Sequence, residues 1–201
     1  MSYNLMEFVE PIRDKKKIEQ IKNSLKGGGK VRDLLLFHLG IVLALRISDL
    51  LSLKVSDVMD DKGNIREYFE VSEHKTDKKH RVTINPKLID VIELYKATYP
   101  NIVSKFDNYL FFAQKRFPLG SKAIDRKMGR LLIDQRCSDV GLVGNYGGHT
   151  LRKTRGYQAR SASVPTEIIQ HKLNHSSMAI TKRYLGITDD EFAGVCNKLD
   201  L

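Results

Sequence analysis

The stretch "HKLNHSSMAITKRYLGIT", from His171 to Thr188, decides how this sequence is interpreted. It places His175 nine residues before Tyr184, and it places two cations, Lys182 and Arg183, directly before that tyrosine. A tyrosine hydroxyl has an ordinary pKa of about 10, so it is a poor nucleophile near neutral pH. Neighbouring positive charge stabilises the phenolate and also attracts phosphate. The stretch therefore favours phosphoryl-transfer chemistry, provided that the rest of the chain supplies the other groups.

The positive charge of the chain is concentrated around that stretch. The 201 residues contain 34 Lys and Arg against 24 Asp and Glu, which gives a net charge of +10. Residues 114–184 alone contain 14 Lys and Arg against 4 Asp and Glu, so this segment holds the whole excess. A basic surface concentrated in one segment is typical of proteins that bind a polyanion, and nucleic acid is the expected partner.

Composition and motifs argue against several other classes of protein. The longest apolar run, Leu34–Leu45, is shorter than the roughly 18 to 20 residues of a membrane span, and the N-terminus has no secretory signal. Cys137 and Cys196 follow no metal-ligand spacing, and both are expected to be reduced and buried. Neither a phosphate loop nor a dinucleotide motif is present, so no cofactor and no metal are expected. These features predict a cytoplasmic protein, most simply of the bacterial cytoplasm or nucleoid.

Hydrophobic periodicity predicts a mainly helical chain with one small antiparallel β-sheet. Two stretches rich in β-branched and aromatic residues, Asn64–Val71 and His80–Asn85, flank the polar sequence "SEHKTDKK" and predict a β-hairpin. The segment Tyr109–Phe112 predicts a short buried strand or turn. Helices are predicted over these segments: Asp14–Leu25, Val31–Leu45, Ser48–Leu53, Pro86–Thr98, Ser121–Gly141, Leu151–Arg160, Pro165–Leu173 (with Pro165 in the first turn) and onward from about Met178.

The predicted helix Ser121–Gly141 is amphipathic and basic. Four apolar residues are predicted to face inward: Ile124, Met128, Leu131 and Leu132. Four cations fall on its other faces and are predicted to contact DNA: Lys122, Arg126, Lys127 and Arg130. Further DNA contacts are predicted from four cations nearer the C-terminus: Lys153, Arg155, Lys182 and Arg183.

Two other motifs could supply cations to a phosphate site. The sequence "LRISDLLSL" sets Arg46 and Asp49 three residues apart, and an intrahelical ion pair would explain them without any catalytic role. The sequence "GGHTLRKT" sets His149 and Arg152 three residues apart behind two glycines, which let backbone amides approach a ligand closely. A helix cap preceded by a turn would explain this second motif equally well.

Four motifs in this order resemble the tyrosine recombinase, or phage integrase, family. They are "LRISDLLSLKVSDV", "KTDKKHRVTIN", "HTLRKT" and "LNHSSMAITKRYLGI", and the similarity runs from about Val9 to Thr188. The resemblance implies the catalytic-domain fold of that family. It also implies a site-specific DNA recombinase that integrates or excises a mobile element or phage. Such an enzyme cleaves and rejoins DNA through a covalent 3′-phosphotyrosyl intermediate, without metal or ATP.

The resemblance assigns the phosphate-binding and nucleophilic groups. Arg46 and Arg152 match the two arginines that clamp the scissile phosphate, and two planar guanidinium groups suit the non-bridging oxygens of a phosphodiester. Tyr184 matches the nucleophile. Asp49 then becomes a supporting residue for Arg46, which reconciles the ion-pair interpretation with the functional one.

The groups that move protons are also assigned by resemblance. Lys75 matches the hairpin lysine that protonates the departing 5′ oxygen, although Lys78 and Lys79 stand close to it in the same turn. His149 matches a histidine that serves as general base and acid for the tyrosine. His175 matches a second histidine, which hydrogen-bonds the phosphate.

The resemblance further divides the chain into an N-terminal extension or helix (residues 1–30), the catalytic domain (31–188) and a tail helix (189–201) that could dock on a neighbouring protomer. Many relatives carry a separate N-terminal domain that completes a clamp around DNA. Only about 30 residues precede the catalytic core here, so the chain is either a short form or a trimmed one.

The expected partners are double-stranded DNA attachment sites, accessory DNA-bending proteins, and further copies of the chain. A homotetramer is expected on DNA, with a monomer possible without it. Two other functions stay open. A nicking and resealing enzyme like a type IB topoisomerase would use the same tyrosine but only one active site. A DNA-binding protein that has lost catalysis would lack a catalytic residue, and none is missing. The apolar spacing of the tail favours recombination.

Overall fold

The computed structural model describes residues 9–72, 79–114, 116–173 and 175–185. Lys75, Lys78, Cys196 and the predicted tail helix lie outside these ranges. The elements in chain order are α1 (Lys15–Gly27), α2 (Val31–Leu43), α3 (Ile47–Leu51), α4 (Val55–Val58), β1 (Tyr68–Ser72), β2 (Lys79–Thr83), α5 (Pro86–Thr98), α6 (Pro100–Val103), α7 (Arg126–Asp139), α8 (Thr150–Ser161), α9 (Thr166–Lys172) and α10 (Met178–Leu185).

Helix α2 is the centre of the fold. Its sequence is apolar on almost every side, as expected for a helix that is surrounded by protein. Helices α1, α3, α5 and α8 all pack against it. The residues that it buries include Leu34, Leu35, Leu36, Phe37 and Leu39. Because α8 carries one predicted site motif and α3 begins beside another, packing on α2 brings the two motifs to the same part of the molecule.

The chain breaks between α2 and α3, at the position that the sequence predicted near Arg46. Ala44 adopts a left-handed conformation, with φ 54° and ψ 32°, and its N–H donates to the Gly40 carbonyl at 3.2 Å. A non-glycine residue in this region costs roughly 1–2 kcal/mol. Arg46 follows in an extended conformation as the residue before α3. The break therefore projects Arg46 from a bend rather than from the middle of a helix.

Strands β1 and β2 pair antiparallel, with Tyr68 opposite Thr83 and Ser72 opposite Lys79. The first strand begins four residues later than predicted, since the sequence pattern had started it at Asn64. The reason is a local turn in which the Asp60 carboxylate accepts hydrogen bonds from the Asn64 backbone at 2.8 Å and from its side chain at 3.0 Å. Asn64 is thereby used to close the turn and is not available to the sheet.

The bounds of α7 differ from those predicted. The helix begins at Arg126 rather than Ser121, because Asp125 caps it by accepting from the Met128 N–H at 2.7 Å. Just before the cap, Ala123 forms an antiparallel bridge with Phe112. The segment Tyr109–Phe112, predicted as a short strand or turn, thus forms isolated bridges at both ends, the other being between Tyr109 and Lys54.

The inward face of α7 was also predicted wrongly at two positions. Met128 and Leu131 are 47% and 49% exposed, whereas Gly129, Ile133 and Cys137 are buried. Gly129 accounts for this orientation, since a Cβ there would lie 3.0 Å from Leu51 Cδ1. The helix therefore turns its smallest residue toward α3, and the larger apolar residues one position away face outward.

Two smaller predictions were also tested. Cys137 is buried as predicted, and burial raises the pKa of its thiol to about 12. Pro165 stands one position before α9, at the N-cap rather than in the first turn. Among the described residues, no helix is both long and apolar enough to cross a membrane.

Candidate active site

Helix α8 carries the histidine and the arginine of the predicted His-x-x-Arg motif. His149 is its N-cap residue and reaches solvent, whereas Arg152, one turn later, is only 3% exposed. The start of the helix is fixed by Thr150, whose side-chain oxygen accepts from the Gly147 N–H at 2.9 Å while its own N–H donates to the Gly147 carbonyl. The histidine is therefore held at the rim of the site and the arginine within it.

Close packing explains the two glycines before His149. A Cβ on Gly148 would lie 3.0 Å from Ile47 Cγ2, and one on Gly147 would lie 3.1 Å from Arg130 Cγ. Larger residues would push the turn away from α3 on one side and from α7 on the other. The glycines thus let the start of α8 approach the segment that follows Arg46.

Arg152 is a buried cation with backbone acceptors. One guanidinium nitrogen donates to the Ala44 carbonyl at 2.7 Å, and another donates to the Leu173 carbonyl. These carbonyls lie beyond the ends of α2 and α9 respectively. A buried charge is very costly unless it is hydrogen-bonded. The two bonds therefore hold the guanidinium in one orientation and join three helices to it.

Arg46 lies near both Tyr184 and His149, since its charge lowers the pKa of each. The predicted contact between Arg46 and Asp49 is not made. Asp49 is buried, one carboxylate oxygen accepts from Ser48 Oγ at 3.4 Å, and the other has no hydrogen-bond partner among the described residues. The reason is the extended backbone of Arg46, which does not continue α3 and so does not stack its side chain over Asp49.

Tyr184 lies on α10 with its hydroxyl buried inside the site. The Arg152 guanidinium lies within reach of that hydroxyl, although the contact does not have regular hydrogen-bond geometry. Burial raises the pKa of Tyr184, and the nearby guanidinium groups of Arg152 and Arg46 oppose the rise. The phenol is therefore protonated near neutral pH, and it needs a proton acceptor before it can attack.

His175 contacts the ring of the tyrosine directly. Its ring centroid lies 4.8 Å from that of Tyr184, with an angle of 69° between the planes. Its Nδ1 lies 3.1 Å from the hydroxyl of the fully buried Thr181, which donates in turn to the Ser177 carbonyl at 3.3 Å. Since the Thr181 hydroxyl donates its proton to the Ser177 carbonyl, it accepts from His175, and Nδ1 is the donor toward it.

His149 is suited to accept a proton. Desolvation by the surrounding protein lowers its pKa, although the side chain still reaches solvent, and the charges of Arg152, Lys153 and Arg46 lower it further. The imidazole is therefore neutral near pH 7. A neutral histidine with cations around it gains a proton only when negative charge enters the site, as a phosphate would supply.

A basic groove opens beside His149. It has a volume of about 470 Å³, and three exposed cations of α7 line it: Arg126, Lys127 and Arg130. None of its described lining residues is acidic. The groove therefore provides a positively charged path that ends at the histidine. The fourth predicted contact on this segment, Lys122, is also exposed, with its Nζ 4.1 Å from the centre of the Phe117 ring.

The other residues that were predicted to contact DNA lie in different environments. Lys182 is exposed, and the side chain of Arg183 lies outside the described residues. Arg155 is exposed but lines an apolar groove between α8 and α9. Lys153 is only 8% exposed, so less of its side chain reaches the surface than in Arg155 or Lys182. Its side chain packs against Tyr184, with Nζ 5.2 Å from the centre of the ring.

Sequence reasoning missed the segment from Val9 to Asp14. Its backbone is bonded to the site region, since the Glu10 N–H donates to the Asn145 carbonyl at 2.8 Å and the Ile12 N–H donates to Thr154 Oγ1 at 2.9 Å. Burial lowers the pKa of Lys153, and the Glu10 carboxylate lies close enough to oppose that change. The segment has no hydrophobic periodicity. The only sequence signal of its packing was the apolar residue Ile12, which is fully buried in the structure.

Comparison with known proteins identifies relatives over nearly the whole chain. The sequence profile of the Phage integrase family matches residues 13–191. The "Probable integrase/recombinase YoeC" of Bacillus subtilis (strain 168) is 37% identical over 92% of this chain and 93% of its own length. The "Tyrosine recombinase XerC" of Caldanaerobacter subterraneus is 26% identical over 90% of this chain, but this chain spans only 48% of that relative.

Solved structures show the same fold. The XerA recombinase superposes with a TM-score of 0.71 at 20% identity, covering 98% of this chain and 68% of that one. A lambda integrase tetramer bound to a Holliday junction superposes with a TM-score of 0.60 at 19% identity, covering 92% of this chain and 50% of that one. The mainly helical fold is therefore that of tyrosine recombinase catalytic domains.

Proposed function

The chain belongs to the phage integrase family, and from this premise we propose that it cleaves and rejoins DNA at specific sites through a covalent 3′-phosphotyrosyl intermediate. One observation carries the proposal: groups that can bind a phosphate surround a single tyrosine whose hydroxyl is buried. The charges of Arg152 and Arg46 both act on the hydroxyl of Tyr184, and the ring of His175 packs against its phenol.

In the first step, Arg46 and Arg152 bind the two non-bridging oxygens of the scissile phosphate. Each guanidinium offers a planar pair of donors, which matches the geometry of a phosphodiester. The carbonyls of Ala44 and Leu173 fix the orientation of Arg152 before DNA arrives. Little reorganisation is then needed as negative charge grows on the phosphate in the transition state.

In the second step, Tyr184 attacks the phosphorus. Its hydroxyl oxygen forms a bond to the 3′-phosphate, the bond from phosphorus to the 5′ oxygen breaks, and the phenolic proton passes to His149. The lowered pKa of His149 keeps this acceptor neutral before attack. The phosphotyrosyl link preserves the energy of the broken bond, so rejoining by the 5′ hydroxyl needs no ATP.

His175 donates a hydrogen bond to the same phosphate through Nε2. Because its Nδ1 proton is directed at Thr181, donation from Nε2 requires the doubly protonated ring. The negative charge of the bound phosphate favours that form. His175 therefore adds a positive charge beside Tyr184.

The departing 5′ oxygen needs a proton, and Lys75 is proposed to supply it. We expect Lys75→Ala to slow cleavage of a normal phosphodiester but to slow a substrate with a 5′-bridging sulfur far less. A thiolate is a good leaving group because a thiol has a pKa of about 8.5, far below that of an alcohol. The measurement is the single-turnover cleavage rate of both substrates.

Lys78→Ala and Lys79→Ala are the matched controls for this test. Loss of positioning alone would slow both substrates to a similar extent in any of the three variants. If sulfur rescues Lys78→Ala or Lys79→Ala but not Lys75→Ala, the assignment of Lys75 is refuted. If none is rescued, the general acid lies outside the hairpin.

The groove lined by Arg126, Lys127 and Arg130 is proposed to hold the DNA backbone beside the scissile phosphate. Affinity for nonspecific duplex DNA should then fall steeply with salt, by roughly −0.9 in the log–log slope per phosphate contact. Replacing all three cations with glutamine should reduce the slope by about 2 to 3. Binding is measured by fluorescence anisotropy across a salt series.

The control for this prediction is a double variant of the exposed α1 lysines, Lys15→Gln and Lys16→Gln. These lysines do not line the groove, so the salt slope should stay at its original value. A slope that falls equally in both variants would show that net charge, rather than the groove, accounts for binding.

We also propose that the tail docks on a neighbouring protomer, as recombination between two duplexes requires several active sites. The groove between α8 and α9 is lined by Ala159, Val164 and Ile168, and Arg155 and Lys172 add positive charge to it. The tail has complementary features: apolar Phe192, Val195 and Leu199 at helical spacing, after acidic Asp189, Asp190 and Glu191. A homotetramer on DNA is the proposed assembly.

A pool of nicked duplexes of randomised sequence tests the function by trapping, because such a pool includes the cleavage site whatever its sequence. A nick placed near the cleaved bond lets a short fragment diffuse away, so the covalent intermediate accumulates. We expect a protein–DNA complex that survives SDS, and sequencing of the trapped DNA should give a consensus. The absence of any SDS-stable complex from the whole pool would refute strand cleavage.

A further inference from the structure

We propose that Lys153 is a positioning residue for the nucleophile Tyr184. Its ammonium group holds the face of the Tyr184 ring and stabilises the negative charge that develops on the phenol. This inference deepens the proposed function and rests on it. Lys153 touches neither the phosphate nor the reacting oxygen in this role. It acts through the phenol ring.

The geometry sets Lys153 apart from the other basic residues of α8. It is 8% exposed, and its Nζ lies 5.2 Å from the centre of the Tyr184 ring. The His175 ring packs edge-on against the same phenol at 4.8 Å. The nucleophile thus contacts both an ammonium group and an imidazole, whereas Arg152, next to Lys153 in sequence, is bonded to backbone carbonyls.

The interaction strengthens as the reaction proceeds. A cation near an aromatic ring is attracted by the electron density of the π face, and the attraction is larger when the pair is desolvated. As Tyr184 loses its proton and attacks, negative charge spreads from the oxygen into the ring. An interaction that is stronger in the transition state than in the ground state accelerates the chemical step.

The N-terminal segment, which sequence reasoning missed, favours the charged form of this lysine. Burial lowers the pKa of Lys153, and the Glu10 carboxylate opposes that change. Glu10 is fixed by its backbone bond to Asn145. His149 on the same helix and Tyr184 on α10 also face Lys153. Since the role requires the protonated amine, cleavage should fall as pH rises through the lowered pKa of Lys153.

The first test compares Lys153→Met with Lys153→Arg on the nicked duplex that the trapping experiment selects. Methionine fills a similar volume without charge, and we expect it to slow single-turnover cleavage at saturating DNA roughly tenfold, the equivalent of about 1.4 kcal/mol. Arginine keeps the charge, so it should restore most of the rate. It should also move the high-pH limb of the profile upward, because a guanidinium does not titrate in this range.

A contrasting variant separates this role from DNA contact. Lys127→Gln removes an exposed lysine that lines the basic groove. It should weaken DNA affinity and reduce the salt slope by roughly 0.9. Lys153→Met should leave both quantities at the wild-type value, since its amine is buried. If Lys153→Met instead behaves like Lys127→Gln, Lys153 contacts DNA and the proposal is wrong.

The second test uses Glu10→Gln, which changes no atom at the nucleophile. Loss of the carboxylate should lower the pKa of Lys153, so the high-pH limb of the cleavage profile should shift to lower pH. The same shift should appear in the DNA-free protein as a lower titration midpoint of the Lys153 Cε resonance by NMR. If Lys153 had a purely structural role, its resonance would still shift but the high-pH limb of cleavage would stay in place, and that result would overturn the inference.

The possible outcomes separate this inference from the proposed function. If the wild-type protein forms no SDS-stable adduct, the proposed function fails and this inference falls with it. If the adduct forms but Lys153→Met cleaves at the wild-type rate, only the role of Lys153 is refuted. If Lys153→Met does not fold, the pH profiles of Lys153→Arg and Glu10→Gln decide, because unshifted high-pH limbs in both would refute it.

Discussion

Replacing Tyr184 with phenylalanine is expected to abolish covalent attachment to DNA while leaving the fold and DNA affinity close to the wild-type values. Without the hydroxyl, the nearby Arg152 guanidinium keeps its hydrogen bonds to the carbonyls of Ala44 and Leu173, so its buried charge stays paired. The ring that contacts His175 and Lys153 is retained. Adduct yield on a nicked duplex, the midpoint of thermal unfolding and DNA affinity together measure the effect.

The matched control is Tyr157→Phe. Tyr157 is a half-buried tyrosine of α8, with the Arg13 guanidinium 5.9 Å from the centre of its ring. The Tyr157→Phe variant should form the adduct at the wild-type level. Full adduct formation by Tyr184→Phe would contradict the assignment of the nucleophile, and Tyr157 and Tyr146 would be tested next.

Arg152 is expected to give the second large effect. Arg152→Ala removes a guanidinium from the phosphate site, and loss of one preorganised donor typically slows the chemical step about 100-fold or more. It also leaves the carbonyls of Ala44 and Leu173 without this donor. An unpaired buried acceptor costs about 1–3 kcal/mol in the free energy of unfolding. We therefore expect loss of cleavage together with a thermal midpoint lower by several degrees.

Arg152→Lys separates these two effects. Lysine keeps the charge but cannot reach two carbonyls and a phosphate with a planar fork, so it should recover part of the stability and little of the cleavage rate. Arg136→Lys is the control, since Arg136 pairs with Asp139 at 2.7 Å on α7. Cleavage by Arg152→Lys at the wild-type rate would show that charge alone suffices there.

Most of the helices could be predicted from the sequence because their apolar residues recur at helical spacing. Helix α5 has the predicted bounds, since Pro86 opens it and Asn85 caps it by accepting from the Leu88 N–H at 2.9 Å. The four-residue helices α4 and α6 were not predicted. A single turn contains too few residues to establish a periodicity.

The orientation of α7 could not be predicted from periodicity alone. Its stripe of Ile124, Met128 and Leu131 and its stripe of Gly129, Ile133 and Cys137 both recur at helical spacing. The close approach of Gly129 to Leu51 decides between them. That contact depends on tertiary packing, which a hydrophobic pattern does not contain.

The sequence motifs name the residues of the candidate site, but they do not give the contacts between them. Short motifs identify Arg46, His149, Arg152, His175 and Tyr184, and the structure brings these residues together.

The contacts of Asp49 and Lys153 could not be read from their spacing. For Asp49, the extended backbone at Arg46 overrides the helical pairing. For Lys153, its neighbour in sequence is a site residue, but its contact with Tyr184 comes from the packing of α10 on α8.

The most direct test of the central claim is to locate the covalent bond itself. The wild-type protein is incubated with the selected nicked duplex in EDTA and without nucleotide, and the trapped adduct is digested and sequenced by mass spectrometry. We predict a single modified peptide with the nucleotide attached to Tyr184 through its 3′-phosphate, and release of a DNA fragment with a free 5′ hydroxyl. Attachment to any other residue, attachment through a 5′-phosphate, or an adduct that forms only when magnesium is restored would contradict it.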